Sequence, residues 1–134
     1  MRQRSDARGS ASVELAILAP LVGLLLGSVV LLGRVQLARA DVEGAARSAA
    51  RDLSISRDPY VAVERVRSAL METLHVGSPT CRTLSFSPEI GSTQVTVSIT
   101  CSVDLQEAAI LPVPGSMSVS ASASEVIDIY REGR

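Results

Sequence analysis

Three rhythms of apolar and polar residues succeed one another along the chain. From Leu15 to Gly33 there is no charged residue at all. At ~1.5 Å per helical residue, a run of that length just crosses a ~30 Å hydrocarbon core. From Val35 the pattern becomes periodic: Val35, Ala38, Val42, Ala45, Ala49 and Leu53 recur at three- and four-residue steps, the spacing of one helix face. Arg34, Arg39, Glu43, Arg47 and Arg51 line much of the remainder, with Glu43 and Arg47 spaced for an i,i+4 ion pair. The apolar run is therefore expected to continue as an amphipathic helix whose face is mainly alanine. Such a face permits close packing and buries little area, whether against its own domain or against a neighbour.

Ser54 to Arg57 interrupt the pattern. Asp58-Pro59 then supplies an N-cap and a proline at the first helical position. Val63, Val66, Leu70 and Leu74 make the next apolar stripe, and Gly77 with Pro79 is expected to end that helix. His75 falls in its last turn, as a surface or capping residue. From Thr80 the period becomes two. Val95, Val97, Ile99, Cys101, Val103 and Leu105 alternate with Thr96, Ser98, Thr100 and Ser102, the signature of a strand with one wet face. Cys81 to Ser87 reads as a shorter strand, joined through Pro88-Glu89-Ile90-Gly91-Ser92. A last strand carries Met117, Val119, Ala121 and Ala123, then Ile127 and Ile129, after a loop marked by Pro112 and Pro114.

Folding symmetrically about Gly91 sets Cys81 opposite Cys101, and opposed antiparallel residues lie within disulfide reach. The same register turns Leu84 and Phe86 away from the valine face. A bulge between Cys81 and Leu84 reconciles the two demands. The resulting fold class is α+β: a long N-terminal transmembrane helix continuing into a small domain, where a second helix packs on an antiparallel sheet of about three strands. The chain divides into a basic leader (1–9), a transmembrane helix (10–33), a helix extension and linker (34–57) and an extracytoplasmic α+β domain (58–134).

Composition narrows the picture. With 134 residues, only a single small domain remains beyond the membrane run. Aromatic residues are 2% of the chain and Trp is absent, so the core must be built from Val, Ile, Leu and Ala. A core that thin needs support from the long helix, a disulfide or neighbouring subunits. The net charge of −1 gives no sign of a nucleic-acid partner. The two cysteines both follow the apolar run; in an exported segment a disulfide is the default for such a pair. Zinc would need two further ligands, and His75 is the only histidine; no metal or cofactor is expected.

The entrance to the apolar run carries the sharpest chemistry. Arg2, Arg4 and Arg8 precede Gly9; Ser10-Ala11-Ser12-Val13 follow, and Glu14 stands at the edge of the uncharged stretch. A carboxylate there is costly unless it meets a positive partner or, as an interfacial residue, snorkels to water. A conventional signal peptide is the competing reading, since Ala38-Arg39-Ala40 has the A-x-A form of a cleavage site. Against it, the uncharged run exceeds the usual ~7–15 residues and that site lies beyond Arg34. Within the run Gly23 and Gly27 form a G-x-x-x-G pair with Ser28 beside it, which either lets two helices approach closely or merely reflects how common glycine is in membrane helices. Pro20 removes one backbone donor, and a kink or local melting is expected there.

Gly9-Ser10-Ala11-Ser12-Val13-Glu14-Leu15-Ala16, with the apolar run and Pro20, resembles the N-terminus of type IV pilin-like proteins. More narrowly, it resembles the TadE-like pseudopilins of the tight-adherence (Tad/Flp) pilus system, whose helix continues through a small-residue stretch like Glu43-Gly44-Ala45-Ala46-Arg47-Ser48-Ala49-Ala50-Arg51. Ser10 stands where most type IV pilins have Phe, and Leu15 after Glu14 departs from the Glu-Tyr pair of the major Flp pilin. The resemblance implies cleavage by a prepilin peptidase between Gly9 and Ser10. It also implies that Glu14 pairs with the new N-terminal amine of the same or the adjacent subunit, and that the partners are other pilin-like subunits and the Tad inner-membrane assembly machinery. The expected setting is a single-pass inner-membrane protein, N-terminus cytoplasmic and C-terminal domain outside.

No catalytic constellation is present: no Ser-His-acid spacing, no paired-histidine metal motif, no glycine-rich phosphate loop. The expectation is a structural minor pilin, neither an enzyme nor a protein with a small-molecule substrate. The alternative is a membrane-anchored extracytoplasmic binding module that never joins a filament.

Overall fold

In the computed structural model, residues 8–77, 80–108 and 114–127 are described. Arg2, Arg4, Pro79, Pro112 and Ile129 lie outside them. The element order is α1 (Arg8–Ile55), α2 (Pro59–Thr73), β1 (Thr83–Ile90), β2 (Gln94–Asp104), α3 (Leu105–Ala108) and β3 (Ser116–Val126). This is the α+β arrangement expected, with the three strands in one antiparallel sheet of order β1-β2-β3.

α1 is one helix of 48 residues that continues through Pro20. All six residues of its periodic stripe, Val35 to Leu53, are buried, and Ala46 and Ala50 join them with no exposed surface. The alanines let α1 lie close over β2 and β3, while α2 covers β1. The helix runs two residues into the expected interruption, through Ser54 and Ile55, and Ser54 Oγ donates to the Arg51 carbonyl (2.9 Å). α1, α2 and the sheet share a single core: Leu53 and Val42 from α1, Val66 and Leu70 from α2, Val97 and Ile99 from β2.

The N-terminus of α2 forms as expected. Asp58 is extended (φ −130°, ψ 99°) and its Oδ1 accepts from the amides of Tyr60 (3.0 Å) and Val61 (3.3 Å), ahead of Pro59. Its C-terminus differs from expectation. The helix ends at Thr73, and His75, not Gly77, is the first residue to turn left-handed (φ 47°). Val76 N–H donates to the Met71 carbonyl (3.0 Å) and His75 N–H to the Glu72 carbonyl (3.1 Å), the paired bonds of a Schellman motif. Val76 then packs on the core; burial of that side chain holds a non-glycine residue in a conformation that glycine adopts more easily. Gly77 is left-handed too (φ 96°) and directs its amide to the Cys81 carbonyl (2.8 Å).

The hairpin register also departs from the symmetric reading. Ile90 pairs with Val95, and Gly91 N–H donates to the Gln94 carbonyl (2.9 Å), so the turn centres on Ser92-Thr93 and not on Gly91. Leu84 therefore lies opposite Cys101 and Phe86 opposite Ile99, all on the core face. Cys81 would then be out of phase, but Arg82 and Thr83 both address Ser102: Arg82 N–H donates to its carbonyl (2.7 Å), and Thr83 is its register partner. That extra residue is a bulge, and it returns Cys81 to the core side. β1 begins at Thr83 rather than Cys81 and runs on through Pro88 to Ile90. Pro88 is tolerated because β1 is an edge strand. Counting from the bonded Gly91–Gln94 pair, position 88 directs its nitrogen away from β2, so no ladder bond is lost. Leu105 leaves the strand to start α3.

The outer face of the sheet is a hydroxyl surface. Thr83 meets Ser102 (2.7 Å), Thr96 meets Ser124 (2.8 Å) and Ser98 Oγ donates to Ser122 Oγ (3.3 Å) across strands.

Candidate functional site: the bare half of the long helix

Among the described residues, the large apolar side chains of the first half of α1 are largely uncovered. Val13, Leu15, Ile17, Leu21 and Leu25 are exposed, as are most of the other large side chains up to Leu32. A helix that is apolar all round and uncovered is not a core helix; its surface fits hydrocarbon or other helices like itself. Among the described residues this is the one helix long and apolar enough to cross a membrane, and none of its most apolar window is buried.

Glu14 sits at the entrance of this surface, exposed, and no ion pair to it is formed among the described residues. The backbone of Gly9 and Ser10 is already helical, so Ser10 and Glu14 are four residues apart on one helical run and lie on the same flank, ~6 Å apart along the axis. Gly23 and Gly27 are on the bare half. A side chain added at Gly23 would meet nothing within 4 Å, so the chain's own packing gives no reason for that glycine. Ser28 satisfies itself by donating to the Leu24 carbonyl (2.8 Å), as a hydroxyl in an apolar helix must.

At Val35 the surroundings change within one turn. Arg34 is exposed, Val35 is buried, and from there the inward face is covered. Outward, Arg47 and Glu43 form an exposed pair (3.6 Å), which adds only a few tenths of a kcal/mol. Cys81 and Cys101 are both buried and joined as a disulfide, with their Cα atoms 5.4 Å apart. The bridge ties the start of the hairpin to the central strand beneath the end of α2. Beside it Arg82 reaches Asp104 (2.8 Å), a pairing that the bulge makes reachable and that residue spacing alone does not reveal. A small cavity of about 100 Å³ lies here, lined by Asp41, Thr73, His75 and the two cysteines among others. It has room for a few waters. Three or more acidic, histidine or cysteine side chains grouped to hold a metal do not occur among the described residues. On the far side Arg67 lies over the Phe86 ring, 5.5 Å from its centroid, a cation–π contact shielding the edge of the core.

Residues 9–51 match the family model described as TadE-like protein. The match runs from the glycine before the proposed cut, through the bare half of α1, and into the buried alanine stripe. It ends before α2 and the sheet. No curated protein and no solved structure matches the chain.

Proposed function

We propose that this chain, which matches the TadE-like family model over residues 9–51, is a minor pilin or pseudopilin that takes part in assembling Tad/Flp-type pili. One observation carries most of the weight: a single uninterrupted helix has a bare apolar half and a half clamped to a folded domain. Held in the inner membrane by its first half, the subunit waits with its domain on the extracytoplasmic side. Extraction into a filament then exchanges lipid for neighbouring apolar helices with little change in the solvent exposure of that surface.

Prepilin peptidase cuts between Gly9 and Ser10 on this reading, and Glu14 neutralises the new amine at Ser10 in the same or the adjacent subunit. A paired charge in hydrocarbon is far less costly than two isolated ones, so the carboxylate sets the axial register of the subunits. Gly23 and Gly27 supply a close-contact groove for the neighbouring helix.

The test uses the host strain. Mass spectrometry of the mature protein should show a chain beginning at Ser10. Glu14→Val should still be processed and inserted, because the domain is untouched and the segment becomes more apolar. Its recovery with sheared pili, or its crosslinking to other pilin-like subunits, should fall at least tenfold. A processed Glu14→Val chain that assembles as wild type does would refute the charge-pairing mechanism. An intact Met1, in cells with active peptidase, would favour an anchored module outside the filament.

A further inference from the structure

The two edges of the sheet are not equivalent. β1 is guarded: Pro88 turns a nitrogen without hydrogen toward the free side, and the bulge at Arg82 distorts its beginning, both recognised ways of blocking strand addition. β3 carries neither. It runs 11 residues without proline, and Glu125 is its only charge. The phase of its ladder follows from two flanking bonds, Ile127 N–H to the Thr93 carbonyl (2.9 Å) and Leu105 N–H to the Gly115 carbonyl (3.1 Å). Alternation between them places the amides and carbonyls of Val119, Ala121 and Ala123 toward β2. Those of Ser118, Ser120, Ser122 and Ser124 point outward. Among the described residues nothing pairs with this row.

We propose that the outer edge of β3 is a strand-addition site, filled by an extended segment of a different polypeptide. The edge offers alternating donors and acceptors at strand spacing, which another extended backbone matches group for group. An added strand would set its outward side chains beside the serine row and its inward ones beside Val119, Ala121 and Ala123. It should therefore be uncharged, with small and hydroxyl-bearing residues in alternation. A second copy of this chain, paired antiparallel through its own β3, does not fit. Antiparallel pairing of two β3 strands places a two-fold axis perpendicular to the sheet. α1 lies flat on that sheet from Val35 to Leu53, so the axis would point the two apolar halves in opposite directions, which one membrane cannot hold. This exclusion rests on α1 spanning a membrane as proposed above; the open edge does not.

Hydrogen–deuterium exchange of the full chain decides it, comparing host membranes with the purified protein in lipid nanodiscs. In host membranes the segment Ser116–Val126 should take up fewer deuterons, by roughly the outward amides of Ser118 to Ser124. Ser120→Pro removes an outward amide and no internal bond, so it should abolish that protection with the Cys81–Cys101 disulfide still formed; Ser120→Ala should keep it. Equal uptake in both settings overturns the proposal. So does protection already complete in nanodiscs, since the chain would then cover its own edge. Crosslinking from Ser122→Cys that yields only self-dimers overturns the choice of a different polypeptide. None of these readings depends on Gly9 cleavage or on pilus recovery, so failure here and failure of the pilin reading are distinguishable.

Discussion

The two halves of α1 share a backbone and obey opposite rules. From Leu15 to Leu32 the large side chains are apolar all round and mostly exposed; after Arg34 they are small on one side, charged on the other, and the small side is buried. Bulk is spent where the chain has nothing of its own to pack against, and alanine where it has the most. A sheet pressed against alanines comes close enough for Val97, Ile99 and Val95 to lose all exposure, so a core with few aromatics still excludes water. The bare half can contribute to affinity for lipid or partners, but hardly to the stability of the fold.

That contrast can be broken most sharply by matched truncations. Ile99→Ala, at a residue with 0% exposure, should destabilise the domain by about 2–5 kcal/mol through lost burial and a residual cavity. Leu25→Ala, at 59% exposure, should leave the domain's denaturation midpoint where it was. Chemical denaturation of the full chain in detergent, followed by a probe on the sheet, measures both. Equal effects would mean that the two halves form one cooperative unit.

Removing the disulfide comes next. Cys81 and Cys101 are separated by 20 positions, and opening a loop of that size should cost about 3 kcal/mol on the chain-entropy account. In a Cys81→Ser, Cys101→Ser chain the hairpin should gain protease sensitivity while the bare helix still inserts. Unreduced wild-type protein that reacts fully with an alkylating reagent would contradict the bridge. The smallest expected effect is a gain. His75 holds φ 47°, where a side chain costs roughly 1–2 kcal/mol that glycine avoids. His75→Gly should therefore raise domain stability by about 1 kcal/mol, read as a shift in the same denaturation midpoint.

Periodicity made most of this architecture legible. The stripe from Val35 to Leu53, the Asp58-Pro59 start of α2 and the alternation along β2 are local patterns, and each appears where the residues put it. The bulge before Leu84 was legible as a conflict: two cysteines and two hydrophobes could not share one regular register. What stayed hidden depends on position in the whole sheet. Gly91 drew the turn toward itself, yet the register follows the burial of Leu84 and Phe86. Pro88 looked like a strand end, because nothing local says that β1 is an edge. His75 outranks Gly77 as the left-handed residue because Val76 must reach the core. At the entrance to the apolar run, Gly9, Ser10 and Glu14 are legible as a pattern, but the chemistry proposed for them involves a cut chain and the amine of the same or an adjacent subunit.

No joint separates the exposed half of α1 from the clamped half: Gly33, Arg34 and Val35 follow one another within a single helix. On the proposed reading, the domain then has no free azimuth about the helix axis. Each residue in an α-helix advances the bearing by about 100° and the height by ~1.5 Å. One residue inserted at position 34 would swing β3 to another compass point while changing no contact within the domain. On that reading, the heading of the whole domain is written into the helical phase between Glu14 and Val35.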